Sequence, residues 1–178
     1  MFDSLFQNNR ILGTRNFVNK NEPVYSSSTH GTKVLSTMGG NLPGELVGTA
    51  PHASYWLLKS EDTDSEYPIE EDNWVSAVEF ADSTGADIIN SSLGYSEFDV
   101  TSMNYTYADM DGLTSRASIA ATIAARKGMI IVNSAGNEGN DPWHYITAPS
   151  DADSIITVGA VDEAGNYAYF SSVGPTAD

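Results

Sequence analysis

Three short stretches of the chain combine side chains that can do chemistry with small, glycine-containing surroundings that would leave them reachable. Ser28-Thr29-His30-Gly31-Thr32-Lys33-Val34 puts an imidazole where a helical pattern begins. Asp87-Ile88-Ile89-Asn90 runs into Ser91-Ser92-Leu93-Gly94, and Met129-Ile130-Ile131-Val132 runs into Asn133-Ser134-Ala135-Gly136-Asn137-Glu138-Gly139. An imidazole titrates near neutrality and can take or give a proton, and a side-chain amide can donate to an oxygen that gains negative charge. Taken singly, each has a plainer reading: His30 as a capping or surface residue, Asn137 as a turn former in Gly-Asn-Glu-Gly. His52 and His144 fall in no such stretch and read as loop or surface histidines.

The elements that must position these stretches follow from periodicity. Ser28 and Thr29 offer N-cap oxygens, and Val34, Leu35 and Met38 recur at helical spacing, so a helix is predicted from about His30 to Gly39-Gly40. Gly44 to Pro51 reads as a loop into a strand at Tyr55-Trp56-Leu57-Leu58. A helix is predicted over Glu70 to Ala81, where Trp74, Val75, Val78 and Ala81 share a face and Glu70, Glu71 and Asp72 suit the positive end of the dipole. A strand at 86–90 follows. A third helix, Ser115 to Lys127, leads to the strand at 129–132, and further strands are predicted at 155–158 and 167–170 around a turn at 163–166. Alternating helix and strand means βαβ units and a parallel sheet covered on both faces, so the class is α/β. Ligands in such sheets sit at the carboxyl ends of the strands, so the loops after 90 and after 132 should line one site. The stretch from Tyr95 to Asp111 is an irregular, aromatic-containing insertion.

Composition narrows the chemistry. The chain has 178 residues, 40% of them hydrophobic, which favours one domain or part of one. The formal charge of −16 argues against nucleic acid and anionic lipid as partners. Without cysteine there is no disulfide or thiolate chemistry. No apolar run approaches the ~18 residues that span a bilayer. The acidic run Glu61, Asp62, Asp64, Glu66, Glu70, Glu71 and Asp72 could offer oxygens to calcium, but reads first as a solvated loop and helix start.

In their order along the chain the three stretches resemble the subtilisin-like serine proteases, the subtilases. Residues 28–34 are similar to the family's His-Gly-Thr-His-Val segment, with Lys33 at its second histidine, and this places His30 as the general base. Asn137 takes the position of the oxyanion-hole asparagine. Ser92, Leu93 and Gly94 match the segment that pairs with the substrate backbone, and Ala135 and Gly136 the facing wall. Pro149-Ser150, residues 155–161 and Phe170-Ser171-Ser172-Val173-Gly174-Pro175 extend the resemblance over residues 28–178. The family's serine segment and the strand ending in its aspartate are matched nowhere: Asp82-Ser83-Thr84-Gly85 lies after His30 at a helix end, and Gly112-Leu113-Thr114-Ser115 lacks the small residues expected around a nucleophile.

The resemblance implies a three-layer α/β/α domain with a mostly parallel sheet, incomplete in residues 1–178, with the aspartate strand expected upstream and the serine helix downstream. It implies an endopeptidase in which a histidine deprotonates a serine and an aspartate orients the histidine. The chain alone is expected to be inactive and, with apolar faces and a sheet edge uncovered, to self-associate. Protein or peptide substrates are the implied partners. No cofactor is implied, although the family allows a structural calcium, one position being the loop from Asn41 to Leu46. The implied location is secreted or cell-envelope, with any signal outside this chain. The alternative is a non-catalytic domain that only grips extended peptides. A nucleotide-binding fold is disfavoured, since no glycine-rich phosphate loop follows the first predicted strand.

Overall fold

The computed structural model describes residues 1–25 and 28–178. The chain divides into two compact units, Met1–Thr63 and Asp64–Asp178.

The first unit contains α1 (Asp3–Gln7), β1 (Ile11–Asn16), α2 (His30–Gly39), β2 (Asn41–Leu42), β3 (Leu46–Val47) and β4 (Tyr55–Lys59). α2 has the predicted bounds, and the main-chain N–H of His30 donates to Ser28 Oγ at 3.1 Å, whereas the Thr29 side chain makes no cap bond. β1 and β4 pair in parallel from Ile11 opposite Tyr55 to Asn16 opposite Lys59, with a register shift between Ile11 and Gly13. A Cβ at Gly13 would lie 2.2 Å from the Trp56 ring, so the missing side chain is what lets the indole lie across β1. Asn16 ends β1: its Oδ1 accepts from the amides of Val18 and Asn19 at 3.0 and 2.9 Å. The stretch predicted as a loop at 44–51 instead begins in a hairpin, β2 against β3, turning at Gly44 with φ +87°. Leu5 is fully buried against Gly39 and Tyr55.

The second unit contains α3 (Ile69–Ser83), β5 (Ile88–Ser91), α4 (Arg116–Arg126), β6 (Ile130–Ser134) and β7 (Ile156–Val158). β5, β6 and β7 form a parallel sheet in that order, with Ser91 opposite Asn133 and Ser134 opposite Val158. α3 and α4 bury Trp74, Val78 and Ala81 with Ala117, Ala121 and Ala124, and Ile131 is buried on β6. The alanines keep α4 slim enough to pack closely. Trp74 Nε1 donates to Ser91 Oγ at 3.1 Å, fixing the end of β5 to α3. Ile88, Ile130 and Ile156, about half exposed, leave the other face open among the described residues, as an incomplete three-layer fold requires.

Two expectations about this unit are corrected. Glu70 and Glu71 are buried, not solvated. Glu71 accepts from Tyr105 Oη at 2.6 Å and from Ser115 Oγ, with Arg116 Nη2 3.9 Å away, so donors from the insertion and from the start of α4 compensate its burial. Burial first, and then the bond to Glu71, raises the pKa of Tyr105 far above its ordinary value and keeps its proton in place as a donor. Residues 167–170 do not form a strand. Asp162 Oδ1 gathers the amides of Ala164 and Asn166 at 2.9 and 2.8 Å, and Ser171 N–H turns back to the Ala168 carbonyl. Only an isolated bridge joins Val161 to Tyr167.

Candidate active site

His30, the first residue of α2, belongs to the first unit. Its side chain is exposed and has no hydrogen-bond partner among the described residues. The remaining candidates all lie in the second unit, at the carboxyl ends of β5 and β6, and the structure brings them together.

The two strand-end loops are tied by Asn133, which donates from Nδ2 to the Leu93 carbonyl at 3.0 Å and to Ser150 Oγ at 2.9 Å. Asn133 is buried and its Oδ1 has no partner among the described residues. Beyond the loops, Tyr95 and Ala148 exchange main-chain bonds of 2.8 and 3.1 Å, and Thr147 N–H donates to the Ala135 carbonyl at 3.3 Å. The segment 147–148 is therefore stitched to both walls at once.

On the second wall Gly136 adopts φ +114°. A Cβ there would lie 2.3 Å from Glu138 Oε2 and 2.6 Å from Ser172 Oγ, so the position takes only glycine. Ser172 holds the turn from three sides: its N–H donates to the Gly136 carbonyl at 3.1 Å, its hydroxyl donates to Glu138 Oε2 at 2.7 Å, and its Oγ accepts from Glu138 N–H at 3.1 Å. Asn137 projects from this fixed turn, exposed, its amide without a hydrogen-bond partner among the described residues. On the opposite wall the main-chain N–H of Gly94 is likewise unbonded among the described residues. The arrangement can pair an extended peptide along Ser92–Gly94 and present an amide donor to one of its carbonyl oxygens.

Thr147, Asn133 and Ser172 drew no assignment from the sequence. Asn133 and Ser172 sit inside stretches that did, but nothing local distinguishes them. Thr147 carries no motif signal; it is placed by its main-chain bonds. Asp151 anchors the far side of this region, accepting from Ser118 Oγ at 2.5 Å and from Gly112 N–H at 2.8 Å, and burial pushes its carboxyl up. The loop from Asn41 to Leu46 holds one carboxylate, Glu45, and is taken up by the β2–β3 hairpin. His144 lies with φ +67°, its Nδ1 2.6 Å from the Gly139 carbonyl, consistent with a structural loop histidine.

Comparison with known proteins finds relatives along most of the chain. Subtilisin DY of Bacillus licheniformis is 32% identical over 171 residues, covering 93% of this chain and 55% of the relative. Subtilisin E of Bacillus subtilis is 29% identical over 182 residues, covering 99% of this chain and 42% of the relative. The chain thus spans about half the length of the curated relatives it matches. In fold it is similar to the prenylagaramide maturation protease PagA, with a TM-score of 0.69, 23% identity, and coverage of 92% of this chain and 57% of that one. MycP1 without its N-terminal propeptide gives 0.65 at 24% identity, with coverage of 88% and 54%. A family model, the subtilase family, matches residues 7–178, and the chain belongs to that family.

Proposed function

We propose that the protein containing this chain is a serine endopeptidase that cleaves peptide bonds by acyl transfer. In this reading His30 is the general base, Asn137 the oxyanion donor, and Ser92, Leu93 and Gly94 the strand that pairs with substrate, faced by Ala135 and Gly136. One observation supports it above the others: a glycine-dependent turn presents an Asn137 amide that, like the Gly94 main-chain N–H, has no hydrogen-bond partner among the described residues. A donor fixed before the reaction costs no reorganisation when the carbonyl oxygen gains charge. The serine and the aspartate of the triad are taken to lie outside residues 1–178, so this chain alone is inactive. The chemistry requires no cofactor. A location outside the cell is part of the proposal, tested by fractionation, since one relative at 27% identity is named a major intracellular serine protease. Among the described residues no helix is long and apolar enough to cross a membrane.

Fluorophosphonate labelling of the full-length protein, of its His30→Ala variant and of residues 1–178 alone tests the reading. Labelling of the full-length protein only, lost on His30→Ala, is the expected result. A folded full-length protein that does not label refutes it and favours a domain that grips peptides without cleaving them.

A further inference from the structure

The insertion from Tyr95 to Asp111 is given no task by the proposed reaction, yet it is folded and anchored. Phe98 and Met110 are buried, Phe98 N–H donates to Asn104 Oδ1 at 2.8 Å, and Tyr105 N–H donates to the Ser96 carbonyl at 2.9 Å. From this segment Tyr107 reaches in two directions. Its hydroxyl donates toward the carbonyls of Pro175 and Thr176 at 3.1 and 2.9 Å, and its ring lies against that of Tyr145 with centroids 4.2 Å apart. Met110 adds a main-chain bond, its carbonyl accepting from Ala177 N–H at 2.8 Å.

Both contacts of Tyr107 fall on the ladder that places Ser172. Val173 N–H donates to the His144 carbonyl at 3.2 Å and Ile146 N–H donates to the Val173 carbonyl at 3.0 Å, so Tyr145 is bridged to Val173. Tyr107 holds one side of this bridge by its ring on Tyr145 and the other by its hydroxyl on residues 175–176. Ser172, one residue before Val173, is bonded to Gly136 and Glu138 on either side of Asn137. The Asn137 amide has no partner of its own among the described residues, so its place is set by that main chain. An amide that must meet an oxyanion tolerates little misplacement: an error of about 1 Å can cost about 100-fold in rate.

We propose that Tyr107 is a positioning residue for the oxyanion donor, its ring and hydroxyl fixing the bridge between Tyr145 and Val173, which sets Ser172 and through it the Asn137 turn. The proposal rests on the endopeptidase reading, in which Asn137 is that donor. It gives the insertion a task in the reaction, carried out through Asn137 and not on the substrate. A role confined to packing would lower stability and leave the turnover of the folded enzyme alone.

The test uses full-length protein that labels with a fluorophosphonate, and measures kcat and KM on one peptide substrate together with urea unfolding. Tyr107→Phe, which keeps the ring and removes the hydroxyl, should lower kcat by about 2–30-fold with KM nearly unchanged, the range over which residues along a coupling network act. Tyr145→Leu, which removes the ring contact from the other side, should do the same. In an Asn137→Ala background neither substitution should lower kcat further, because the group they position is gone. A labelled, folded enzyme whose kcat is unchanged by either substitution, or falls by the same factor with and without Asn137, overturns the positioning role and leaves the peptidase reading intact. A loss that appears in KM alone also overturns it. If one variant does not fold, the other decides by the same cycle. Failure of the folded full-length protein to label overturns the endopeptidase reading, and this one with it.

Discussion

Asn133 reaches 3.0 Å across from β6 to donate to the carbonyl of Leu93, so the carboxyl ends of β5 and β6 are joined by one buried side chain. Its strand partner Ser91 accepts from Trp74 on α3. The ends of β5 and β6 are thus tied to each other and, through Ser91, to the helix layer that builds the core.

Asn133→Ala removes that tie, leaves the Leu93 carbonyl and Ser150 short of a donor, and creates a small void. Each unmet buried group costs about 1–3 kcal/mol. Urea unfolding of the variant should show a loss in that range or above. A change below about 0.5 kcal/mol, the level of an ordinary surface substitution, would mean the tie is not made in solution.

Gly94 and Thr147 should behave as a coupled pair. Gly94 has no positive φ, so Gly94→Ala is opposed only by the collision with Thr147 Oγ1. Overpacking of this kind costs about 1–3 kcal/mol. Repeated in a Thr147→Ala background, the cost should fall by about 1 kcal/mol or more in a double-mutant cycle. Equal costs in the two backgrounds would show that the two residues do not touch.

What the sequence made legible was whatever local pattern decides. The helix from His30 and the Ala/Ile-rich helix before Gly128 are set by periodicity and glycine stops, and both formed close to the expected bounds. The two strand-end loops were found because each follows a short isoleucine-rich strand pattern and begins with small, polar residues. β1 was missed because Leu12-Gly13-Thr14-Arg15 has no apolar alternation; its pairing depends on Trp56, far along the chain, lying over Gly13. The strand expected at 167–170 failed because the Asp162 turn folds the chain back before a ladder can extend. Glu71 looked like a solvent-facing acid because its partners, Tyr105, Ser115 and Arg116, lie more than thirty residues away. Thr147 became visible only once two glycines from separate loops, Gly94 and Gly136, were seen to close on it.

Asp151 predicts a pH dependence of definite sign. Burial raises its carboxyl above the ordinary 3.8, so the folded protein holds that proton more tightly than the unfolded chain does. The associated stability is complete below the unfolded value and is lost as pH rises through the raised folded value. Asp111 has the opposite sense: the Leu113 amide foremost, with the amide and hydroxyl of Thr114, holds its carboxyl below 3.8, so its contribution is lost as pH falls. The Asp151 effect is therefore read as the stability of the unaltered protein minus that of Asp151→Asn, measured by urea unfolding from about pH 3 to 7. That difference should fall with rising pH, by no more than about 1.4 kcal/mol per pH unit. A difference that grows with pH would contradict the assignment.

Asn137 separates a rate residue from a turn residue. If it served only the turn, Asn137→Ala would unsettle the loop; but Ser172 and Gly136 hold that loop, and the Asn137 amide bonds to nothing among the described residues. Its φ is not positive, so alanine fits the backbone. Unfolding free energy should therefore change by less than about 0.5 kcal/mol. The rate should not be spared. In a subtilisin, loss of the equivalent donor lowers kcat by about 100–1,000-fold, a magnitude carried over from that relative and not obtained from this geometry. For the full-length protein the fall should appear in kcat, with KM changed by no more than a few fold, because the bond forms to an oxyanion that exists only near the transition state. An equal loss appearing wholly in KM would make Asn137 a substrate-binding residue, and a loss tracking a fall in stability would return it to the turn.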